Sequence, residues 1–330
     1  MKGNVFWIEQ HWTLPPDHLS IVVGGILSSK IRNWKIDEER ALQAEIRARL
    51  EVPHRRAREI IRRGGVQIAG KVVLDPGYRP KIGDPVIVNP EPMKIRTALR
   101  KSFAEEMKIL HKDRHIMVVN KPAGMLTVPT DEDEQEICLL GEISRQLRKE
   151  GNKRPALFVV QRLDRYTSGI LAIARTTDAR DHLKQQLKNR KVERRYLAIS
   201  QGRSKLDEGV CRLPLFEDPR SMKMRLARKG EQGKEAVTRW KMLELRGEHS
   251  IIEAHLETGR RNQIRVHLAA VGLPIIGDSR YGVSSPWISR PALHAETLSF
   301  SHPITMQDLS FQVPLPQDIA QAWDAIQPSS

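Results

Sequence analysis

Cysteine is almost missing from this chain. Cys138 and Cys211 are its two, far apart and in no Cys-x-x-Cys pair, which leaves no disulfide framework and no zinc knuckle to build. Long apolar runs are missing as well. The one near the start, at residues 21–27, is broken by Gly24 and Gly25, whereas a membrane-spanning helix needs about 20 apolar residues. The opening residues do not follow the basic, apolar, small-residue order of a secretory signal, because Glu9, His11, Pro15, Pro16 and Asp17 interrupt them. A cytoplasmic protein without membrane attachment is therefore expected. There is no Walker loop, no dinucleotide fingerprint and no internal repeat. Acidic residues are in deficit: 40 Asp and Glu face 55 Lys and Arg, a net charge of +15. Such an excess speaks of partners rather than fold, and it favours nucleic acid or an anionic membrane surface, of which the short apolar runs make the second the weaker.

What is there suggests two domains, since 330 residues exceed the roughly 100–200 of one. Residues 1–36 carry few signals and read as an arm. Ala41, Ala44, Ile46 and Leu50 then suggest a helix. Pro53 opens a second, in the position that tolerates proline. Ala57, Ile60 and Ile61 supply its apolar face at i, i+3, i+4. Arg55, Arg58 and Arg62 share another face, widened by Arg56 and Arg63. Gly64-Gly65 ends the helix. Short alternating strands at Val66-Gln67-Ile68, Val72-Val73-Leu74 and Val86-Ile87-Val88 complete a small α+β unit over 37–89. Residues 90–108 read as a linker, with Lys94, Arg96, Arg100 and Lys101. From 109 to 330 apolar strands predominate, near 116–119, 157–160, 170–174, 192–199 and 251–256. Helices are expected near 178–189 and 262–271. Strands outnumber helices, so the class is α+β with a mixed or antiparallel sheet.

The segment Gln161-Arg162-Leu163-Asp164-Arg165-Tyr166-Thr167-Ser168-Gly169 falls between two apolar strands and reads as a loop. It sets a carboxylate between two guanidinium groups, which favour the charged form. Such an Asp can serve as nucleophile or base. It can equally be a turn residue that bonds its own backbone. Local chemistry leaves both readings open.

This segment resembles the Arg-Leu-Asp-Arg signature of the RluA-type pseudouridine synthases. Other blocks resemble the same family in the same order: Val118-Val119-Asn120-Lys121-Pro122-Ala123-Gly124, Gly233-Lys234-Glu235-Ala236-Val237-Thr238, Gln263-Ile264-Arg265-Val266-His267-Leu268, Gly277-Asp278-Ser279-Arg280-Tyr281-Gly282, and Leu293-His294-Ala295 with Phe300-Ser301-His302-Pro303. The resemblance implies an isomerase that turns uridine into pseudouridine in structured RNA without cofactor or metal. It implies that Asp164 is the essential aspartate, acting as nucleophile or base. It implies that Arg162 fills the gap left by a flipped base, that Tyr196 stacks on the uracil, and that Arg265 pairs with the aspartate. The residues themselves also admit plainer parts. Tyr196 could be a strand aromatic in the core, Arg265 a surface residue of an amphipathic helix, and Arg162 a phosphate contact. Gln161, Tyr166 and Arg261-Asn262 depart from the usual family pattern beside Asp164 and Arg265.

Residues 46–88 resemble a small S-four-like RNA-binding domain. On that reading Arg55, Arg58, Arg62 and Arg63 touch phosphates, which fixes register without reading sequence. The whole is expected to be a monomer acting on large-subunit ribosomal RNA, with transfer RNA as the alternative substrate. The rival from another class is an RNA-binding assembly factor on a weakened synthase site. His294-Ala295-Glu296 spells the His-x-Glu of zinc deaminases, but no cysteine follows it to complete a metal site.

Overall fold

The computed structural model describes residues 31–90, 100, 102–129, 137–202, 204 and 206–327. Most of the expected arm, and Lys94, Arg96 and Lys101 of the expected linker, lie outside the described residues.

The first unit packs helices α1 (Leu42–Leu50) and α2 (His54–Arg62) on a four-stranded antiparallel sheet. Its strands are β1 (Arg32–Lys35), β2 (Val66–Ile68), β3 (Lys71–Val72) and β4 (Pro85–Val88), in the order β1-β4-β2-β3. The helical spacing works as expected: Ala57, Ile60 and Ile61 are buried with Leu42, Ile46, Val66 and Val88. Gly65 permits the passage from α2 into β2, since a Cβ there would lie 2.8 Å from the Ile60 carbonyl oxygen. Strand β1 is a correction to the expected arm, which ran to Ile36. Arg32-Asn33-Trp34-Lys35 pairs with β4, and Trp34 Nε1 donates to the fully buried Glu45 at 2.6 Å. A four-residue strand with one apolar side chain has no readable alternation.

The second unit is a mixed sheet of ten strands with helices on it, among the described residues. In chain order these are β5 (Lys108–Lys112), β6 (Ile116–Lys121), α3 (Leu139–Lys149), β7 (Phe158–Val159), β8 (Ser168–Ala174), α4 (Thr177–Lys188), β9 (Glu193–Gln201) and β10 (Glu208–Cys211). A separate hairpin of β11 (Leu215–Glu217) and β12 (Met224–Leu226) follows. Then come β13 (Thr238–Arg246), β14 (His249–Leu256), α5 (Gln263–Ala270), β15 (Leu293–Ser301), β16 (Asp308–Gln312) and α6 (Gln317–Asp324). The main path runs β10-β13-β14-β9-β15-β8-β6-β5, with β16 paired to β15 and β7 to β8. One junction, β15 with β8, is parallel. The expected mixed sheet is therefore present. Thr176 caps α4, its side chain accepting from the Ala179 amide at 3.2 Å.

The register sets one row of residues across this sheet: Lys121, Gly169, Ala295, Tyr196, Ala254, Trp240 and Gly209 are successive cross-strand partners. Cross-strand partners point to the same face, so Lys121 and Tyr196 face the same side. Gly169 sits at the parallel junction, and any Cβ there would overlap the Ala295 backbone. The row brings Lys121, the end of the Asp164 loop and Tyr196 together, although 75 positions separate the outer two in sequence.

Asp113, in the turn between β5 and β6, ties that turn to the one between β15 and β16, which carries His302. Its carboxylate accepts from His111 Nε2 at 2.8 Å, His302 Nε2 at 3.0 Å, and the amides of His115 at 2.6 Å and Ile116 at 2.7 Å. Burial alone would raise its pKa, but the bonds from His111, the two amides and His302 outweigh it and hold the group at about 2. A depressed carboxylate stabilises the fold above its unfolded pKa of about 3.9 and loses that contribution as pH falls through the folded value. Asp113→Ala is expected to cost about 1–3 kcal/mol at neutral pH. Urea midpoints should show the gap from the wild type narrowing as pH falls from about 4 towards 2.

Candidate active site

Asp164 lies in the loop between β7 and β8, as the flanking apolar strands led one to expect. A loop alone does not hold a side chain still. Here four successive backbone carbonyls have each a donor. Leu163 O accepts from Thr127 Oγ1 at 3.0 Å, and Asp164 O from the Thr167 amide at 3.1 Å. Arg165 O accepts from the Gly124 amide at 2.8 Å and from Lys121 Nζ at 3.1 Å. Tyr166 O accepts from Arg290 Nη1 at 3.1 Å. Arg290 is itself held by Asp318 at 2.6 and 2.8 Å.

Lys121 is fully buried and donates also to Pro122 O at 2.9 Å and Met125 O at 2.8 Å. Burial and the nearby Arg290 push its pKa well below the lysine range, while Asp164 acts in the opposite sense. With the three N–H donors of its ammonium, it serves as a three-armed backbone brace beneath the loop. A buried donor with three acceptors has no spare capacity for another role.

Arg265, on α5, faces Asp164 rather than solvent. Its Nη1 is 3.5 Å from Asp164 Oδ2. Its tight partner is a residue to which no role had been assigned: Asp278 accepts from Nε and from Nη2, both at 2.7 Å. Asn262 Oδ1 accepts from Nη1 at 2.9 Å, and the guanidinium lies 4.8 Å from the Tyr281 ring centre. Burial alone would lower the pKa of Arg265; the bonds and charge of Asp278, then the charge of Asp164, hold it above its ordinary value. Arg265 is therefore a permanent cation in a fixed orientation, gripped by one carboxylate and offered to a second. Such a fork recognises carboxylate geometry well.

Tyr196 is 7% exposed and joins the central core. Burial raises its pKa; the Arg194 charge opposes that and the Asp164 charge adds to it, so its phenol lies within electrostatic reach of both. Its ring packs in the core, as the plainer reading of a strand aromatic has it. Arg162 is exposed, two residues before Asp164. Arg55 on α2 is exposed, and Arg58, Arg62 and Arg63 are half-buried. Arg63 Nη2 pairs with Glu59 at 2.8 Å, a carboxylate it shares with Arg56.

The structure thus brings Asp164 and Arg265 into contact, sets Tyr196 within electrostatic reach of Asp164, and leaves Arg162 exposed. Sequence reasoning missed Lys121, Thr127, Asp278 and Arg290. Lys121 and Asp278 stood within recognised blocks, but nothing in the spacing told that one braces a loop and the other grips Arg265. Two departures from the family pattern are explained locally. Asn262 takes a left-handed backbone conformation, φ 56°, and links Arg265 to the Tyr281 hydroxyl, to which its Nδ2 donates at 3.2 Å. Arg261 turns outward to Glu217 at 2.7 Å. His294, the false deaminase signal, is buried and shares a 2.9 Å hydrogen bond between its Nδ1 and Ser168 Oγ.

Residues 115–270 match the family model described as RNA pseudouridylate synthase, and residues 46–86 match that of the S4 domain. A Bacillus subtilis protein named as an uncharacterised RNA pseudouridine synthase, YjbO, is 36% identical over 259 residues, covering 78% of this chain and 89% of its own. The ribosomal large subunit pseudouridine synthase D of Zymomonas mobilis is 34% identical over 309 residues, covering 89% of this chain and 94% of its own. The solved human RNA pseudouridylate synthase domain containing 4 shares the fold, with a TM-score of 0.56 at 23% identity over 70% of this chain and 98% of its own.

The two carboxylates compete for one guanidinium, which yields a direct test. Asp278→Asn keeps the shape of the turn but removes its charge, so Arg265 is expected to close on Asp164. A crystal structure of the variant should show that contact shortened to about 2.8 Å. Uridine turnover is expected to fall about 10–100-fold, with RNA affinity unchanged, because a misplacement of about 1 Å is costly at a reacting centre.

Proposed function

We propose, from the premise that this chain belongs to the RluA-type RNA pseudouridine synthase family and is thus an isomerase acting on RNA, that its substrate is large-subunit ribosomal RNA and that Asp164, Tyr196 and Arg265 carry the reaction. The observation that bears most weight is the meeting of Asp164 and Arg265 at 3.5 Å from segments 101 residues apart. Relatives named ribosomal large subunit pseudouridine synthase D support the choice of RNA.

The overall change breaks the bond from uracil N1 to the sugar, forms one from C5 to the same carbon, and exchanges a proton at C5 for one at N1. Nothing is gained or lost, so no redox partner enters. A uridine in structured RNA must leave its stack first, at a cost of a few kcal/mol. Arg162, which is exposed, stacks as a planar cation in the vacated place. Tyr196 supports the uracil with a contribution of about 1–3 kcal/mol. Asp164, oriented by Arg265, acts as nucleophile or base in opening the bond to the sugar.

We divide the labour between a small RNA-binding unit ending near residue 89 and a catalytic unit whose core already takes in Phe103 and Met107, a correction to the expected linker, which ran to residue 108. Arg55, Arg58 and Arg62 on α2, with Arg63 at its C-terminal end, meet backbone phosphates. Releasing counterions there makes binding salt-dependent, with a slope of about −0.9 per duplex phosphate neutralised. Arg58→Ala with Arg62→Ala is expected to weaken RNA binding and flatten the slope by about 2; unchanged slope and affinity would count against this face.

A pseudouridine map of cells lacking the gene tests the substrate and Asp164 together. A site in large-subunit ribosomal RNA should vanish, return with the wild-type chain, and stay absent with Asp164→Ala. Loss confined to transfer RNA would assign the other substrate.

A further inference from the structure

The small unit is not merely strung ahead of the catalytic one. Leu74 packs against the central core of the larger unit, and a Cβ on Gly124 would lie 3.3 Å from Leu74 Cδ1. Ser279 Oγ donates to Asp75 Oδ2 at 3.0 Å, while the other oxygen of that carboxylate accepts from the Gly77 amide at 2.8 Å. So one short stretch, residues 74–77, touches two loops of the larger unit. These are the loops that frame the candidate site. Gly124 donates its amide to the Arg165 carbonyl, next to Asp164. Ser279 follows Asp278, which grips Arg265.

The same stretch is rigid on its other side. The amides of Leu42 and Gln43, at the start of α1, donate to Tyr78 O at 2.7 Å and Pro76 O at 3.0 Å. Backbone carbonyls thus meet the first N–H groups of a helix that has no side-chain cap. Leu42 and Ile46 of α1 then pack on Ala57, Ile60 and Ile61 of the basic helix α2. An unbroken line of contacts runs from the loops around Asp164 and Arg265, through residues 74–78 and α1, to the arginines of α2.

We infer that residues 74–77 form a fixed docking interface on the Gly124 and Ser279 loops, which sets one reach between the RNA gripped by α2 and the uridine presented to Asp164. The enzyme then selects a uridine at that reach from a structured RNA element, rather than sampling many with a tethered arm. This rests on the proposed roles of α2 and Asp164.

The interface can be locked. Gly77 is not among the residues of positive φ, and a Cβ on it would lie 3.7 Å from Ser279 Oγ, so side chains at the two positions are direct neighbours that a disulfide can be designed to join. The two native cysteines are buried. Gly77→Cys with Ser279→Cys is expected to form a disulfide on mild oxidation, and the locked chain to keep its turnover and its choice of site on ribosomal RNA. Thiols that stay reduced would overturn the inference. So would a locked chain that binds RNA but regains turnover only on reduction. Leu74→Ser with Asp75→Ala loosens the interface instead. It is expected to lower kcat/KM on ribosomal RNA about tenfold, through lost effective concentration, while leaving turnover of a hairpin too short to reach α2 unchanged; equal rates on ribosomal RNA would overturn the inference. Asp164→Asn in the locked chain separates the two ideas: turnover that survives there removes the role of Asp164 and leaves the interface standing.

Discussion

Everything at this site depends on four consecutive carbonyls being held. Residues 163–166 form a loop between strands of two and seven residues, too little regular structure to fix a carboxylate. The donors come instead from Thr127, Thr167, Lys121 with Gly124, and Arg290. An unpaired buried carbonyl is costly, so each of these bonds resists displacement of the loop. The position of Asp164 thereby becomes a property of the whole sheet, since Lys121 ends β6 and Arg290 precedes β15.

Charge is arranged on the same frame. Lys121 is buried under the loop and Arg265 beside it, with Asp278 on the far side of Arg265. Had Arg265 faced Asp164 alone, the pair would close into a bidentate bridge and occupy the carboxylate. The second carboxylate prevents this by taking both Nε and Nη2. Asp164 is left with a long contact of 3.5 Å, oriented but with lone pairs to spare. Asn262 and Tyr281 complete the support of Arg265, which gives a physical use to a residue that departs from the family pattern.

The turn at residues 277–282 thus has two tasks: Asp278 looks inward to Arg265, and Ser279 outward to Asp75 of the small unit. Positioning the chemistry and positioning the RNA share one piece of backbone. The glycines at either end are suited to this. A Cβ at Gly277 would overlap the Arg290 carbonyl oxygen, and one at Gly282 that of Ile275, so the turn is pressed against the core at both ends.

Much of this was legible in residue order. The helical spacing of Ala57, Ile60 and Ile61, the apolar strands on either side of Asp164, and the basic face of α2 rest on neighbours within a few positions, where periodicity speaks directly. The ordered blocks, those around Asp164 and Arg265 among them, pointed to the family. Strand β1 was not legible, because four residues with one apolar side chain show no alternation. Nor were the tasks of Lys121 and Asp278: a lysine reads as a surface charge, and an Asp in a Gly-Asp-Ser turn as a turn residue. What made the first a buried brace is the register that places it one strand from Gly169. What made the second a grip on Arg265 is the packing of α5 against the 277–282 turn. Local pattern tells which segments are helix, strand or loop and which chemistry the family employs. Long-range pairing, whose partners here lie 13 to 204 positions apart, leaves no periodic trace in a chain, so it is known only once the chain has folded.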